Sequence, residues 1–227
     1  MIPIAELIGK IRRKGLRGVL RVLRERFVYR HWELLTLERS LDAPLPKRLS
    51  AERWGRARIG RESLPKLEKY FSHYLPAARE FLDKGMHGEM FTDADGNAVG
   101  ILWVTDRDYY DDQLYHCWVR LPPGCLYQFA GEVAMPCRGV GLPLLGLRLA
   151  CEDGPRLFGC HAIRSLVDAR NLPALTTHIR LGFREVGEVT HAYRLFRYFH
   201  FSRACAYPSP RFLHLRKQGR RRIAPPE

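Results

Sequence analysis

The sequence predicts an α/β fold built on a mixed sheet. Strand-like runs alternate with helical ones along most of the chain. Residues 126–135 are a long apolar run ending in the turn Arg138-Gly-Val-Gly141, after which residues 142–150 take helical spacing. About thirty residues on, residues 171–183 read as a short helix closed by Gly182, with Phe183 opening a new strand.

Taken in order, residues 4–27 place apolar side chains at helical spacing, including Ile4, Leu7, Ile11, Leu20 and Phe27, opposite a basic face. Gly15 and Gly18 weaken its middle. The segment could lie on a membrane surface or dock on the domain with a solvated basic face. Residues 30–41 read as a strand and D-A-P-L-P as a linker. Residues 53–59 alternate as a further strand. A helix then opens with Ser63 as a possible cap and Pro65 early. Tyr74-Leu-Pro76 divides it from a second helix ending near Leu82. Residues 89–91 and 98–104 flank D-A-D-G-N, a hairpin signal. Residues 114–120 are a possible strand, and Pro122-Pro-Gly124 turns the chain into 126–135. Strand 158–167, helix 172–181, strand 183–189 and the aromatic run 192–201 complete the sheet. The expected division is 1–45 for helix, strand and linker, 46–205 for the main domain, and 206–227 for a disordered basic tail.

The net charge of +14 is concentrated at the ends. Residues 1–30 carry nine Lys/Arg against two Glu, and 211–227 carry six against one. The body is nearly neutral, so the charge bears on what the protein touches rather than on its fold. No run of eighteen apolar residues would span a bilayer. The start lacks a secretory pattern, so a cytoplasmic protein is expected, with peripheral contact at the inner membrane face through residues 1–27. The six cysteines form no C-x-x-C pair and no zinc spacing, so they read as reduced thiols and no metal is expected.

A glycine turn before a helix suits phosphate. The helix N-terminus offers unpaired N–H groups and partial positive charge, glycine admits close approach, and Arg138 adds a donor fork. The two segments resemble the signatures of the GNAT acetyltransferase superfamily. Arg138, Gly141 and Pro143 fill the places of its Gln/Arg-x-x-Gly-x-Gly/Ala motif; Pro143 departs from it. Asn171, Ala174, His178, Gly182 and Phe183 fit the second signature, with His178 where Tyr is commonest. The resemblance covers about residues 52–200. It implies a mostly antiparallel central sheet flanked by helices, here extended by a basic amphipathic helix and an extra strand. It implies an acetyl-CoA dependent N-acyltransferase acting on a primary amine by direct attack on the thioester.

On that resemblance the coenzyme lies against Val133, Met135, Arg138, Gly139, Val140, Gly141 and Asn171. Glu132 is the candidate general base and His178 the candidate acid to the departing thiolate. In a regular strand Glu132 shares a face with Gln128, Ala130 and Ala134, away from Phe129 and Val133. Glu132 could equally be a solvated sheet residue, His178 a helix surface residue, and Asn171 a helix N-cap, with Asp168 as its rival. The run 106–112, D-R-D-Y-Y-D-D, offers Asp106, Asp108, Tyr109 and Asp111 to a cationic or polyhydroxylated amine, or is a solvated loop. The acceptor is a small-molecule or protein amine. The alternative is a module that binds coenzyme A without turnover, its basic ends holding lipid or nucleic acid. A nucleic-acid partner is the weaker expectation, since no recognised motif accompanies the basic tail.

Overall fold

A computed structural model describes residues 27–46, 54–196 and 198–212, together with Gly18 and Leu215. The amphipathic helix expected over 4–27 and the tail beyond 215 lie outside the described residues. Among the described residues ten strands form an eight-stranded sheet, order β10-β9-β1-β8-β7-β4-β3-β2, and a separate hairpin, β5-β6. They are β1 (Tyr29–Ser40), β2 (Gly55–Arg58), β3 (His87–Thr92), β4 (Ala98–Thr105), β5 (Tyr109–Asp111), β6 (Cys117–Val119), β7 (Cys125–Val133), β8 (Ala162–Asp168), β9 (Arg184–Leu195) and β10 (Phe199–Ala206). The helices are α1 (Glu68–Phe71), α2 (Leu75–Asp83), α3 (Leu142–Phe158) and α4 (Leu172–Arg180). Every junction of the large sheet is antiparallel except β7–β8. A parallel pair needs a crossover, and α3 supplies it. Among the described residues no helix is long and apolar enough to cross a membrane.

The strand β1 is not an appendage. It runs inside the sheet between β8 and β9, with Trp32 and Leu34 buried on one face and Leu35 and Leu37 on the other. Burying four such side chains contributes about 6–12 kcal/mol, comparable to the whole stability of an ordinary domain, about 5–15 kcal/mol. The boundary expected at residue 45 therefore separates no structural unit. Buried Arg39, also on β1, donates from Nε to Leu181 O (2.9 Å) and from Nη2 to Ala43 O (2.7 Å). It thereby ties the end of α4 to the chain after β1. Gly182 follows with φ +92, and a Cβ there would lie 3.2 Å from Arg39 Nε. Conformation and crowding together require the glycine.

Several expected boundaries move. Ser63 is not the cap: Gly60 holds that place, and the Ser63 hydroxyl accepts from Gly60 N–H at 2.8 Å from one turn inside. Two helices do divide near Tyr74-Leu-Pro76, but the break falls earlier, at Phe71 with φ -127; a 3-10 turn (Ser72–Tyr74) then leads into α2, with Pro76 in its first turn. Helix α3 runs to Phe158, not Ala150, and Gly159 at φ +62 stops it. Only Cys117–Val119 of the expected strand 114–120 is extended. The aromatic run divides into the end of β9, a turn and β10. The start of the expected disordered tail is packed, since Tyr207 donates to Glu185 (2.6 Å) and Leu215 is buried.

Candidate active site

The parallel ladder between β7 and β8 is short. It pairs Cys125 with Ala162, Leu126 with Ile163 and Tyr127 with Arg164, and then stops. Beyond it the strands part, and a cleft of about 700 Å³ passes into the gap. That volume falls within the roughly 300–1,000 Å³ typical of small-molecule sites. Its walls come from β7 (Gln128 to Val133), the end of β8 (Ser165 to Asp168), α4 and the region of Tyr109 to Tyr115.

The course of β7 decides which side chains meet there. Two steps along β4, Ile101 to Trp103, oppose three along β7, Glu132 to Phe129. This is a β-bulge, and Ala130 absorbs it at φ +51. A bulge resets the alternation of faces. Glu132 therefore sits opposite Ile101, on the face of Trp103, Phe129 and Tyr127. The expected grouping of Glu132 with Gln128 is overturned, because the strand is not regular.

On that face β5–β6 and α2 cover the sheet. Tyr109 stacks on Phe129 at 4.7 Å and Phe81 meets Phe129 edge-on at 5.1 Å. Glu132 lies in this wall, its Oε2 3.3 Å from His73 Nε2 and its side chain 36% exposed. Asp111 is buried, and its Oδ1 accepts from Gln113 N–H (3.1 Å) and Leu114 N–H (2.9 Å). Burial raises its pKa, against the pull of those backbone bonds. The Tyr74 hydroxyl lines the same space, buried without a hydrogen-bond partner. Burial, then the charges of Glu132 and Asp111, push that hydroxyl's pKa up. Asp168, expected as a rival helix cap, accepts from Arg170 N–H at 2.9 Å instead and also lines the cleft.

The other face carries α3 and α4. Ala134 N–H donates to Val99 O at 2.9 Å, so the neighbouring Val133 turns its N–H and C=O away from β4, toward the splay. Arg138 reaches Val133 O from Nε at 3.4 Å. Gly139 at φ +85 and Gly141 at φ +91 make the turn into α3, and a Cβ on either would meet nothing within 4 Å. Open space above a helix N-terminus is what an anion needs. Pro143 occupies the first turn of α3 and withholds one donor.

No family model matches the chain, and no curated protein sequence does. Solved structures do. A Drosophila protein superposes with a TM-score of 0.51 at 14% identity, over 83% of this chain and 58% of its own. A conserved protein of unknown function from Staphylococcus epidermidis gives 0.50 at 10% identity, over 78% and 67%. A candidate acetyltransferase of the GNAT family from Novosphingobium aromaticivorans gives 0.50 at 16% identity, over 72% and 64%. The chain has the GNAT fold. It spans only 58% of the length of the Drosophila protein.

Within this GNAT fold the expected site residues divide. Glu132, Val133, Arg138, Asn171, His178, Tyr109 and Asp111 line one cleft. Glu132 and His178 enter it from opposite faces of β7. Gly139, Val140 and Gly141 do not line it; they form the turn between Arg138 and Leu142, which do. Met135 does not face it: the strand has ended, and Met135 is 72% exposed in a 3-10 turn. Asp106 and Asp108 are outside. Asp108 is consumed by Arg120 (2.6 Å) and Leu121 N–H (2.9 Å), and Arg120 holds its carboxyl below the usual range.

Asn171 is the N-cap of α4, accepting from Ala174 N–H at 3.2 Å. His178 places Nδ1 2.8 Å from Ala174 O and Nε2 3.0 Å from Gln128 Nε2. A carbonyl only accepts, so Nδ1 carries the proton and Nε2 accepts from the Gln128 amide. Burial lowers its pKa, against the bond to Ala174. In this arrangement the Nδ1 proton is held by Ala174 O, and Nε2 faces the Gln128 amide. His178 lines the cleft as expected, with both ring nitrogens engaged by Ala174 and Gln128. Tyr74 went unnoticed in the sequence, where it looked like a helix breaker. Its orphaned hydroxyl appears only once α2 is packed. Among the described residues no cluster of three His, Cys, Asp or Glu could hold a metal.

Proposed function

We propose that the protein is an acyl-coenzyme A dependent N-acyltransferase, with acetyl-CoA as donor and a cationic primary amine as acceptor. One observation carries the reading. The sheet is open between β7 and β8, and the opening joins an anion-ready mouth at α3 to an aromatic, carboxylate-bearing mouth under α2. The residues at the first mouth fit the coenzyme. Gly139 and Gly141 leave room for a pyrophosphate, Arg138 supplies a fixed charge, and α3 contributes the partial charge of a 17-residue helix.

Bound there, the coenzyme supplies an activated acyl thioester. The Val133 N–H would donate to the thioester oxygen as it gains charge. Glu132 would take a proton from the bound ammonium, directly or through water, and so free the nitrogen lone pair. The amine would then attack the thioester carbon, the N–C bond forming as the C–S bond breaks, and its surplus proton would pass to solvent. Water would protonate the thiolate, because the Nδ1 proton of His178 is held by Ala174 O. The Tyr74 hydroxyl would donate a hydrogen bond into the reaction space. The acceptor side presents Asp111, Glu132 and Asp168 among Tyr109, Tyr127 and Phe129. Carboxylates and ring faces attract cations and repel phosphorylated amines.

Two features favour the second reading, a module that binds coenzyme A without turnover: the missing donor at Pro143 and the acceptor state of His178. Calorimetric and melting titration with acetyl-CoA, followed by an amine screen for released thiol, decides between them. At a hundredfold excess over Kd, binding should stabilise by about 2.7 kcal/mol. Binding without thiol release for any amine would leave the module. No binding would remove both readings.

A further inference from the structure

We infer that the open end of the β1–β9–β10 ribbon is a docking surface for an anionic lipid bilayer. The ribbon projects the start of β1, the end of β9 and the start of β10 side by side, with Tyr29 opposite Leu195 and Leu195 opposite Phe199. At its tip Phe196 is 57%, Tyr198 82%, Phe199 66% and Phe201 50% exposed. Phe27 and Val28 are exposed beside them, and Val28 O accepts from Phe196 N–H at 2.8 Å, which joins the two patches into one. Phe196 is held at φ +46, a left-handed conformation that a bulky residue rarely adopts. Strain of this kind persists where it serves a site. An apolar surface of this extent on a sheet end marks an interaction site.

Charge and ring geometry choose the partner. Residues 1–30, which lead into this tip, carry nine Lys/Arg against two Glu. Arg30 and Arg194 stand over Trp32 on one face of the ribbon, at 4.5 and 5.7 Å, and exposed Arg203 lies on the other. Aromatic side chains beside basic ones suit the headgroup layer of an anionic membrane. A nucleic acid would need open ring faces on which bases stack. Here Phe201 stacks on Tyr193 at 4.7 Å and 14°, and Tyr193 stacks on His31 at 4.6 Å and 9°. These three rings spend faces on one another, and the exposed Phe196, Tyr198 and Phe199 beside them extend an apolar surface suited to acyl chains.

The test is sedimentation of the full chain with phosphatidylcholine vesicles, with and without phosphatidylglycerol, at about 0.15 M salt, where screening leaves only close charges effective. The wild type should bind the anionic vesicles at least tenfold more tightly than the neutral ones. The double variant Tyr198→Ser/Phe199→Ser should lose at least tenfold in binding with an unchanged melting temperature. Equal binding by the variant would overturn the proposal in favour of the basic segment alone. So would no binding, a dimer that the variant dissociates, or polynucleotide binding that the variant abolishes. If the double variant does not fold, Phe199→Trp serves instead. Its fluorescence should be quenched by brominated lipid, and unquenched emission in the presence of anionic vesicles would overturn the inference.

Discussion

The two mouths of the cleft are built from different materials. The mouth at α3 is mostly backbone: two glycines at positive φ, a helix terminus and the outward amide of Val133, joined by the one side chain of Arg138. The mouth under α2 is side chain: Tyr74, Tyr109, Asp111, Phe129 and Glu132, drawn from three separate stretches. Backbone recognition suits an invariant donor, because amides and a helix dipole read charge and little else. Side-chain recognition suits an acceptor whose shape and charge must be selected. The largest test of this contrast is Glu132→Gln. It should lower kcat by about 10²- to 10⁴-fold while acetyl-CoA affinity, measured by calorimetry, stays unchanged. Equal losses in both would merge the two mouths into one site.

The opposite perturbation comes next. Arg138→Ala should weaken acetyl-CoA binding by about tenfold, the worth of one charge-assisted hydrogen bond. Acceptor KM at saturating donor should not move. Gly141→Ala should weaken coenzyme binding too and cost about 1 kcal/mol in stability. Its Cβ would meet no atom, so the penalty is purely conformational. Chemical denaturation with and without coenzyme separates the two effects. If Arg138→Ala instead changed acceptor selectivity, the division of labour would be wrong.

The same contrast explains what could be read in advance. A glycine turn leaves its mark in consecutive residues, so residues 138–141 were legible as a turn opening a helix, and Gly182 with Phe183 as a helix end. The strand order was not. Nothing local in W-E-L-L-T-L says that β1 will sit between β8 and β9 rather than beside the domain; that follows from burial on both faces. The acceptor wall was half legible. Tyr109 and Asp111 line the cleft, while Asp106 and Asp108 share their composition but lie outside it. Glu132 was chosen for its position and assigned the wrong face, because the bulge at Ala130 carries no sequence signal beyond the neighbouring Gly131. His178 was assigned a role that depends on a proton, and only the Ala174 carbonyl reveals where that proton sits.

Tyr74→Phe probes the acceptor mouth more finely. Deleting a buried hydroxyl that has no partner should leave stability unchanged or slightly raised, because the desolvation penalty disappears with it. A fall of several-fold in kcat with intact folding would show that the hydroxyl is kept for the bound state. An unchanged kcat would return Tyr74 to the role of a packing residue.

The smallest effect is the most diagnostic of how that mouth is assembled. Burial raises the Asp111 carboxyl above its ordinary value, so the folded chain holds that proton more tightly than the unfolded one. Its contribution is therefore favourable below the unfolded pKa and is lost as pH rises through the folded value. Asp111→Asn keeps an oxygen for Gln113 N–H and Leu114 N–H and removes the ionisation. The variant should melt higher than the wild type at pH 7, and the difference should shrink toward pH 4. Its KM for a cationic amine should rise over the same range in which its stability advantage grows. A variant that melted lower at pH 7 would mean that the carboxylate is held by a partner rather than reserved for the acceptor.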